Sequence, residues 1–271
     1  LNIKKNIKKW VFLTVILSAI CIETVSAARL HSCQTTTTSS PVLVSTIHAE
    51  GQEVAPVDPG EPEGLLETIM TDDELGVTIE GALGKDGNYH NLSLHTPMFQ
   101  CTLPGTQVSN PSYAPLISEA DLDGDGQPEI IVNLTYGYGT GAYLNTIQVF
   151  RSDGDSVPVE PLSNSVQRQF TTELDKENIQ LHVNDQTTTI PLDKFAQPPV
   201  ANEPNYIHGG DVQQYTVEDN QIHAVYSLQA GTSEFIGELD AVYRYDNGML
   251  RLQPLTLELD EPYRSTADEV K

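Results

Sequence analysis

The sequence predicts a mainly β protein, an antiparallel meander of short strands forming a sandwich or an open barrel, with one short helix. Three observations carry that expectation. Several segments alternate apolar and polar residues with the period of two that a half-buried strand requires. Glycine (19) and proline (17) are frequent, which favours turns and strands over long helices. Compact turn sequences such as Asp246-Asn-Gly248 separate the alternating runs.

In chain order, Leu65–Met70 fits a single helical turn or the start of a strand. Gly76–Glu80 and His90–Leu94 alternate around the turn residues Leu83-Gly-Lys-Asp-Gly-Asn88, which makes a hairpin. Glu129–Leu134 and Leu144–Phe150 are apolar strands. Asn178–Val183 and Thr187–Leu192 flank Asn184-Asp185 as a second hairpin. Val212–Val217, Gln221–Leu228 and Glu238–Tyr245 continue the meander, and Met249–Leu257 follows the Asp246-Asn-Gly248 turn. Ser165–Leu174 is the one helical candidate.

The organisation along the chain follows from composition. Residues 1–27 read as a signal peptide: Lys4, Lys5, Lys8 and Lys9 precede an apolar run from Trp10 to Ile22, and small residues close the segment at Val25-Ser-Ala27. The run is shorter than the ~20 residues of a membrane span, so cleavage after Ala27 or Ala28 is expected, with no membrane span in the mature chain. Residues 28–63 form a Thr/Ser/Pro-rich linker, whose Val54-to-Gly64 stretch is too rich in proline, glycine and acid to bury a core. The β domain is placed at 64–258 and an acidic tail at 259–271.

The formal net charge of −24 excludes nucleic acid as a partner, because that affinity depends on basic contacts. It disfavours anionic membrane surfaces for the same reason. It suits solubility and an appetite for divalent cations. Of three cysteines, Cys21 leaves with the leader. Cys33 and Cys101 then form an even pair in an oxidising compartment, open to a disulfide. Lipid attachment at Cys33 is the alternative for that residue. Secretion or an extracytoplasmic location follows in either case.

The most specific motif is Asp121-Leu-Asp-Gly-Asp-Gly-Gln-Pro-Glu129. Calcium takes six to eight oxygen ligands, and carboxylates at alternate positions of a tight loop converge on one point. Asp121, Asp123 and Asp125 supply carboxylates, Gln127 a backbone carbonyl, and Glu129 closes the shell; Gly126 permits the turn. The loop is not an EF-hand, since the twelfth position is Val132 where that motif needs glutamate, and a β run follows rather than a helix.

The stretch Ala120–Val132 resembles the calcium loop and following strand of FG-GAP or VCBS-type repeats, as in integrin α-chain propellers. No second copy is present, so the resemblance does not carry the propeller architecture with it. With Thr135-Tyr-Gly-Tyr-Gly-Thr-Gly141 and Phe235–Tyr245 included, the chain also resembles small exported proteins of Gram-positive bacteria that carry one such loop and have no assigned function.

Tyr136, Tyr138 and Tyr143 are interleaved with glycines that match no phosphate-binding spacing. They read as a hairpin connection, or as a rim that stacks on a sugar or a peptide. No Gly-x-Ser-x-Gly elbow or His-Glu-x-x-His motif occurs, so no catalytic residue is assigned. The functional expectation is an exported, non-catalytic, calcium-binding β module that binds a glycan or protein at the cell envelope or beyond it. The alternative is a secreted, glycan-directed hydrolase in which calcium is structural.

Overall fold

A computed structural model describes residues 64–198, 206–231 and 234–264. The expected signal peptide and linker, Cys33 and residues 265–271 lie outside the described residues.

The chain opens with β1 (Leu66–Asp72), β2 (Val77–Leu83), β3 (Asn88–His95), β4 (Gln100–Thr102) and β5 (Gln107–Val108). β1 to β4 are hydrogen-bonded in sequence order and β5 joins β3, giving a five-stranded sheet. A 3-10 turn at Pro111–Tyr113 leads to β6 (Leu116–Ala120), β7 (Glu129–Gly139), β8 (Ala142–Phe150) and β9 (Ser156–Val157). The helix α1 (Leu162–Gln169) precedes β10 (Phe170–Leu174), β11 (Asn178–Val183) and β12 (Gln186–Pro191), which form a three-stranded sheet. β13 (Ile207–Glu218), β14 (Gln221–Ala230), β15 (Glu234–Asp246), β16 (Met249–Leu252) and β17 (Thr256–Leu259) complete the chain.

The fold is mainly β, consistent with a sandwich and not a propeller or a closed barrel. Its largest sheet has nine strands in the order β16-β15-β14-β13-β8-β7-β6, with β17 added on β15 and β9 on β8. The two antiparallel meanders in this sheet meet at a parallel junction, where β13 pairs with β8 through Val212–Tyr143 and Gln213–Leu144. The expected meander is therefore mixed at this point.

β7 explains the continuous apolar run Glu129-Ile-Ile-Val-Asn-Leu134. Every residue from Glu129 to Thr135 is buried. Successive side chains of a strand point to opposite faces. Ile130, Val132 and Leu134 join a core with Val77, Ile79, Leu92 and Leu94 of the five-stranded sheet. Ile131 joins the other core, with Ile179 and Leu181 of the three-stranded sheet and Ile222, Leu239 and Tyr243 of the large one. A strand covered on both faces has no need of a polar face, so it does not alternate.

Two elements depart from the expected pattern. The helical candidate at 165–174 ends at Gln169, and residues 170–174 are β10, laddered along β11. Thr171 and Thr172 are β-branched and suit a strand, and pairing decides the matter. The run Met249–Leu257 divides into β16 and the start of β17 around Gln253-Pro254. Proline cannot donate to the ladder, and both pieces return to β15, one on Tyr243–Asp246 and the other on Gly237–Asp240.

Candidate metal centre and its surroundings

The Asp121–Glu129 loop joins β6 to β7, two strands that are antiparallel partners from Leu116–Asn133 to Ala120–Glu129. Its shape comes from short side-chain-to-backbone bonds. Asp121 accepts from Gly124 N–H (2.8 Å) on Oδ1 and from Gly126 N–H (3.1 Å) on Oδ2. Asp123 accepts from Asp125 N–H at 3.2 Å, and Asp125 from Gln127 N–H at 2.7 Å. Gly124 and Gly126 take φ of +79° and +87°, the left-handed region where side chains are strained.

Carboxylate oxygens of Asp121, Asp123 and Glu129 lie within 4.8 Å of one another. Asp125, more exposed, lies outside that trio, and the Gln127 amide oxygen accepts from Ser152 Oγ at 3.3 Å. Glu129 is only 3% exposed. One of its oxygens accepts from Leu122 N–H at 2.8 Å. Burial raises its carboxyl above the ordinary range, and the charges of Asp123 and Asp125 push the same way. The donors are all oxygen and carry an excess of negative charge, one of them desolvated. That chemistry fits a hard divalent cation.

Two neighbours absent from the sequence reading complete the surroundings. Arg151, just after β8, donates from Nη2 to Asp123 Oδ2 (3.0 Å) and to the Tyr245 hydroxyl (2.7 Å). It neutralises part of the loop's charge. Asn220, in the β13–β14 turn, accepts from Asp121 N–H on Oδ1 at 3.3 Å. Asp219 and Asn220 both have positive φ, the signature of a two-residue hairpin turn. Neither residue is near the loop in sequence, and no spacing rule points to either.

The Tyr/Gly segment is strand rather than a loose connection. β7 and β8 stay paired to Gly139–Ala142, leaving Thr140 and Gly141 as the turn. Tyr138 and Tyr143 are direct cross-strand partners. Tyr113 stacks on Tyr138 with ring centroids 4.4 Å apart and leans on Tyr143 at 5.4 Å. These contacts extend the ladder. The third tyrosine, Tyr136, occupies a bulge between Thr135 and Gly137. It stays outside the stack, close enough to Tyr215 and Tyr226 to raise their hydroxyls beyond what burial does.

Gln107, fully buried, ties the stack to the bulge. Its Nε2 donates to Tyr113 O at 2.7 Å, and its Oε1 accepts from Thr135 N–H at 2.9 Å. Tyr113 was invisible as a partner in the sequence, because it lies outside the Tyr/Gly repeat.

The described histidines have ordinary surroundings. His90 Nε2 meets Asp86 at 3.0 Å, and His208 reaches Asp211 at 3.9 Å. Ser93 Oγ and Glu80 Oε2 both address Nε2 of His95, at 3.1 and 3.2 Å. A serine–histidine–acid relay needs the acid on one ring nitrogen and the serine on the other. Cys101 is buried in the core of the five-stranded sheet. A second carboxylate group, Glu238, Asp240 and Glu258, spans β15 and β17. Burial raises Glu238 and Asp240, and neighbouring acids add to it.

Comparison of the chain with protein-family models, characterised proteins and solved structures gives no match. The fold and the acidic loop define the class: a mainly β domain with a carboxylate cluster at the start of β7, the strand beside the edge of its large sheet.

Proposed function

We propose that this chain is an exported, calcium-stapled β module that binds a glycan or protein partner outside the cytoplasm and performs no catalysis. The observation that carries the calcium reading is the convergence of Asp121, Asp123 and the buried Glu129 within 4.8 Å. The loop's position gives the ion a structural task. It sits where β6 hands over to β7, and β7 is buried in both cores. An ion held there neutralises the desolvated carboxylate and fixes the start of that strand. The ligand surface in this reading is the Tyr113–Tyr138–Tyr143 stack. Tyr138 is 46% exposed, and an aromatic face braced from below suits a sugar ring or an extended peptide.

Thermal melts of the full chain in calcium and in chelator test the reading. A site with Kd of about 10⁻⁴ M, the tight end of the extracellular range, adds about 2.7 kcal/mol at a hundredfold excess of calcium. For a domain of this size that is roughly 5–10 °C in Tm. Asp121→Asn removes the charge and keeps an oxygen for only one of the two N–H groups, of Gly124 and Gly126, that the carboxylate accepts. It should abolish the calcium response and lower the Tm in chelator by the loss of about one hydrogen bond. Equal Tm with and without millimolar calcium refutes the staple.

A further inference from the structure

We infer that the row His208–Gln229–Phe235, across β13, β14 and β15, is a subsite for one ring of a neutral glycan, a chain of hexopyranoses with equatorial hydroxyls. The inference rests on the ligand surface proposed above and extends it beyond the tyrosine stack. His208 is the direct cross-strand partner of Gln229, and Gln229 that of Phe235. Directly opposite side chains of antiparallel strands share a face, with Cβ atoms ~5 Å apart. The row meets the tyrosine hairpin at its tip: a Cβ added to Gly141, in the β7–β8 turn, would stand 3.6 Å from Cε2 of Phe235.

Gln229 is the group that requires a ligand. It is 3% exposed, and its amide makes no hydrogen bond to the described residues. Among those residues, the buried polar atoms that lack both a partner and an opening are Asn133 Oδ1, Asn145 Oδ1, Gln148 Oε1 and His182 Nε2. The Gln229 amide is not one of them: it lacks the partner and keeps the opening. Its neighbours along β14, Leu228 and Ala230, point into the core. Gln229 therefore points to the opposite face, where Phe235 is 38% exposed. A nearly buried amide without partners is costly, and a ligand that supplies both a donor and an acceptor removes that cost.

Three features choose the ligand. The main chain of β14 at this level is paired on both sides, with β13 and with β15. No free edge is left for an extended peptide to join, so a ligand comes face-on. The amide presents a carbonyl acceptor beside an NH₂ donor, the complement of two adjacent hydroxyls. Phe235 gives an aromatic face to the apolar C–H side of a sugar ring, whose equatorial hydroxyls leave in the ring plane towards neighbouring side chains. At the other end of the row His208 Nε2, 3.9 Å from Asp211, offers a further polar contact. An anion is repelled by the net charge of −24, and the row itself holds no carboxylate for a cation.

The test is an NMR titration of the full chain with cellohexaose, reading the side-chain amide of Gln229 and the backbone amides of the row and of the tyrosines. The Gln229 side-chain resonances should shift with those of His208 and Phe235, together with Tyr138 and Tyr143. Gln229→Leu removes the amide and the cost of burying it. It should weaken binding about tenfold, the worth of one or two hydrogen bonds, without lowering the Tm. Phe235→Ala, at an exposed ring, should weaken binding by a similar factor, and it carries the test alone if Gln229→Leu does not fold. Shifts confined to the tyrosines, or unchanged affinity in the variants, overturn the subsite and leave the tyrosine surface standing. Shifts confined to the row support the subsite and refute the tyrosine surface. An unchanged spectrum at saturating cellohexaose overturns the inference, and so does a blocked Gly-Ser octapeptide that moves the row as the sugar does.

Discussion

Gly126 holds φ at +87°, and a Cβ built there meets nothing within 4 Å. Its requirement is therefore conformational and not a matter of space. Gly126→Ala should cost about 1 kcal/mol from the left-handed backbone alone. It should weaken calcium binding as well, since the same turn brings Asp121 to the site; calorimetric titration reads the second effect. Arg151 works in the opposite sense on the two states. Its guanidinium competes with a cation for Asp123 and also ties the loop to Tyr245. Arg151→Met should lower the Tm in chelator yet raise calcium affinity by up to about tenfold, the Coulomb repulsion of a nearby positive charge. A fall in affinity would mean that Arg151 orients Asp123 rather than opposing the ion.

Among the elements, α1 is anchored by one acid. Glu160 accepts from Ser165 Oγ at 2.9 Å, from Leu252 N–H at 3.1 Å, and from the Arg168 guanidinium. It thus joins the helix to β16. Burial raises its carboxyl, but these bonds together outweigh burial and hold it below the ordinary value. A carboxylate depressed in the folded state stabilises above its unfolded pKa, and that contribution is lost as pH falls through the folded value. Glu160→Gln should therefore destabilise the domain at pH 7 by about 1–3 kcal/mol. The difference from the parent should shrink as the pH drops below 4, in paired denaturant melts. On β7, Leu134 is fully buried in the core shared with the five-stranded sheet. Leu134→Ala should cost about 2–5 kcal/mol.

For the whole molecule, β7 and its neighbour β8 face both cores: Ile131, Ile147 and Val149 one, Ile130, Val132, Leu134 and Phe150 the other. On the proposed calcium reading, removal of the ion should loosen both together. Hydrogen exchange at Ile79, in the first core, and at Ile222, in the second, should therefore accelerate in parallel when calcium is removed. Separate transitions for the two reporters would mean that the cores fold independently and that β7 does not couple them.

Much of this was legible in the chain. The alternating runs at 76–80 and 90–94 became β2 and β3, and the Asn184-Asp185 hairpin became β11 and β12. The acidic turn was visible as well, because its aspartates shape it by bonding to N–H groups within the same few residues. Legibility ended where pairing took over. Residues 170–174 read as helix until β11 was there to ladder with them. Tyr136, Tyr138 and Tyr143 read as one rim, but a bulge at Thr135–Gly137 separates Tyr136 from the other two. Tyr113, held through Gln107, packs on those two instead.

The sequence by itself determined the β class, the acidic loop and the strand that follows it, because alternation, turn chemistry and carboxylate spacing are local properties. The tertiary structure alone decided which sheets β7 would join, which arginine and asparagine would meet the loop, and where β8 and β13 would part. Those outcomes depend on contacts between residues far apart in the chain, such as Asp121 with Asn220 and Asn133 with Tyr215. Such contacts arise from how whole strands share a core, and no window of neighbouring residues encodes them.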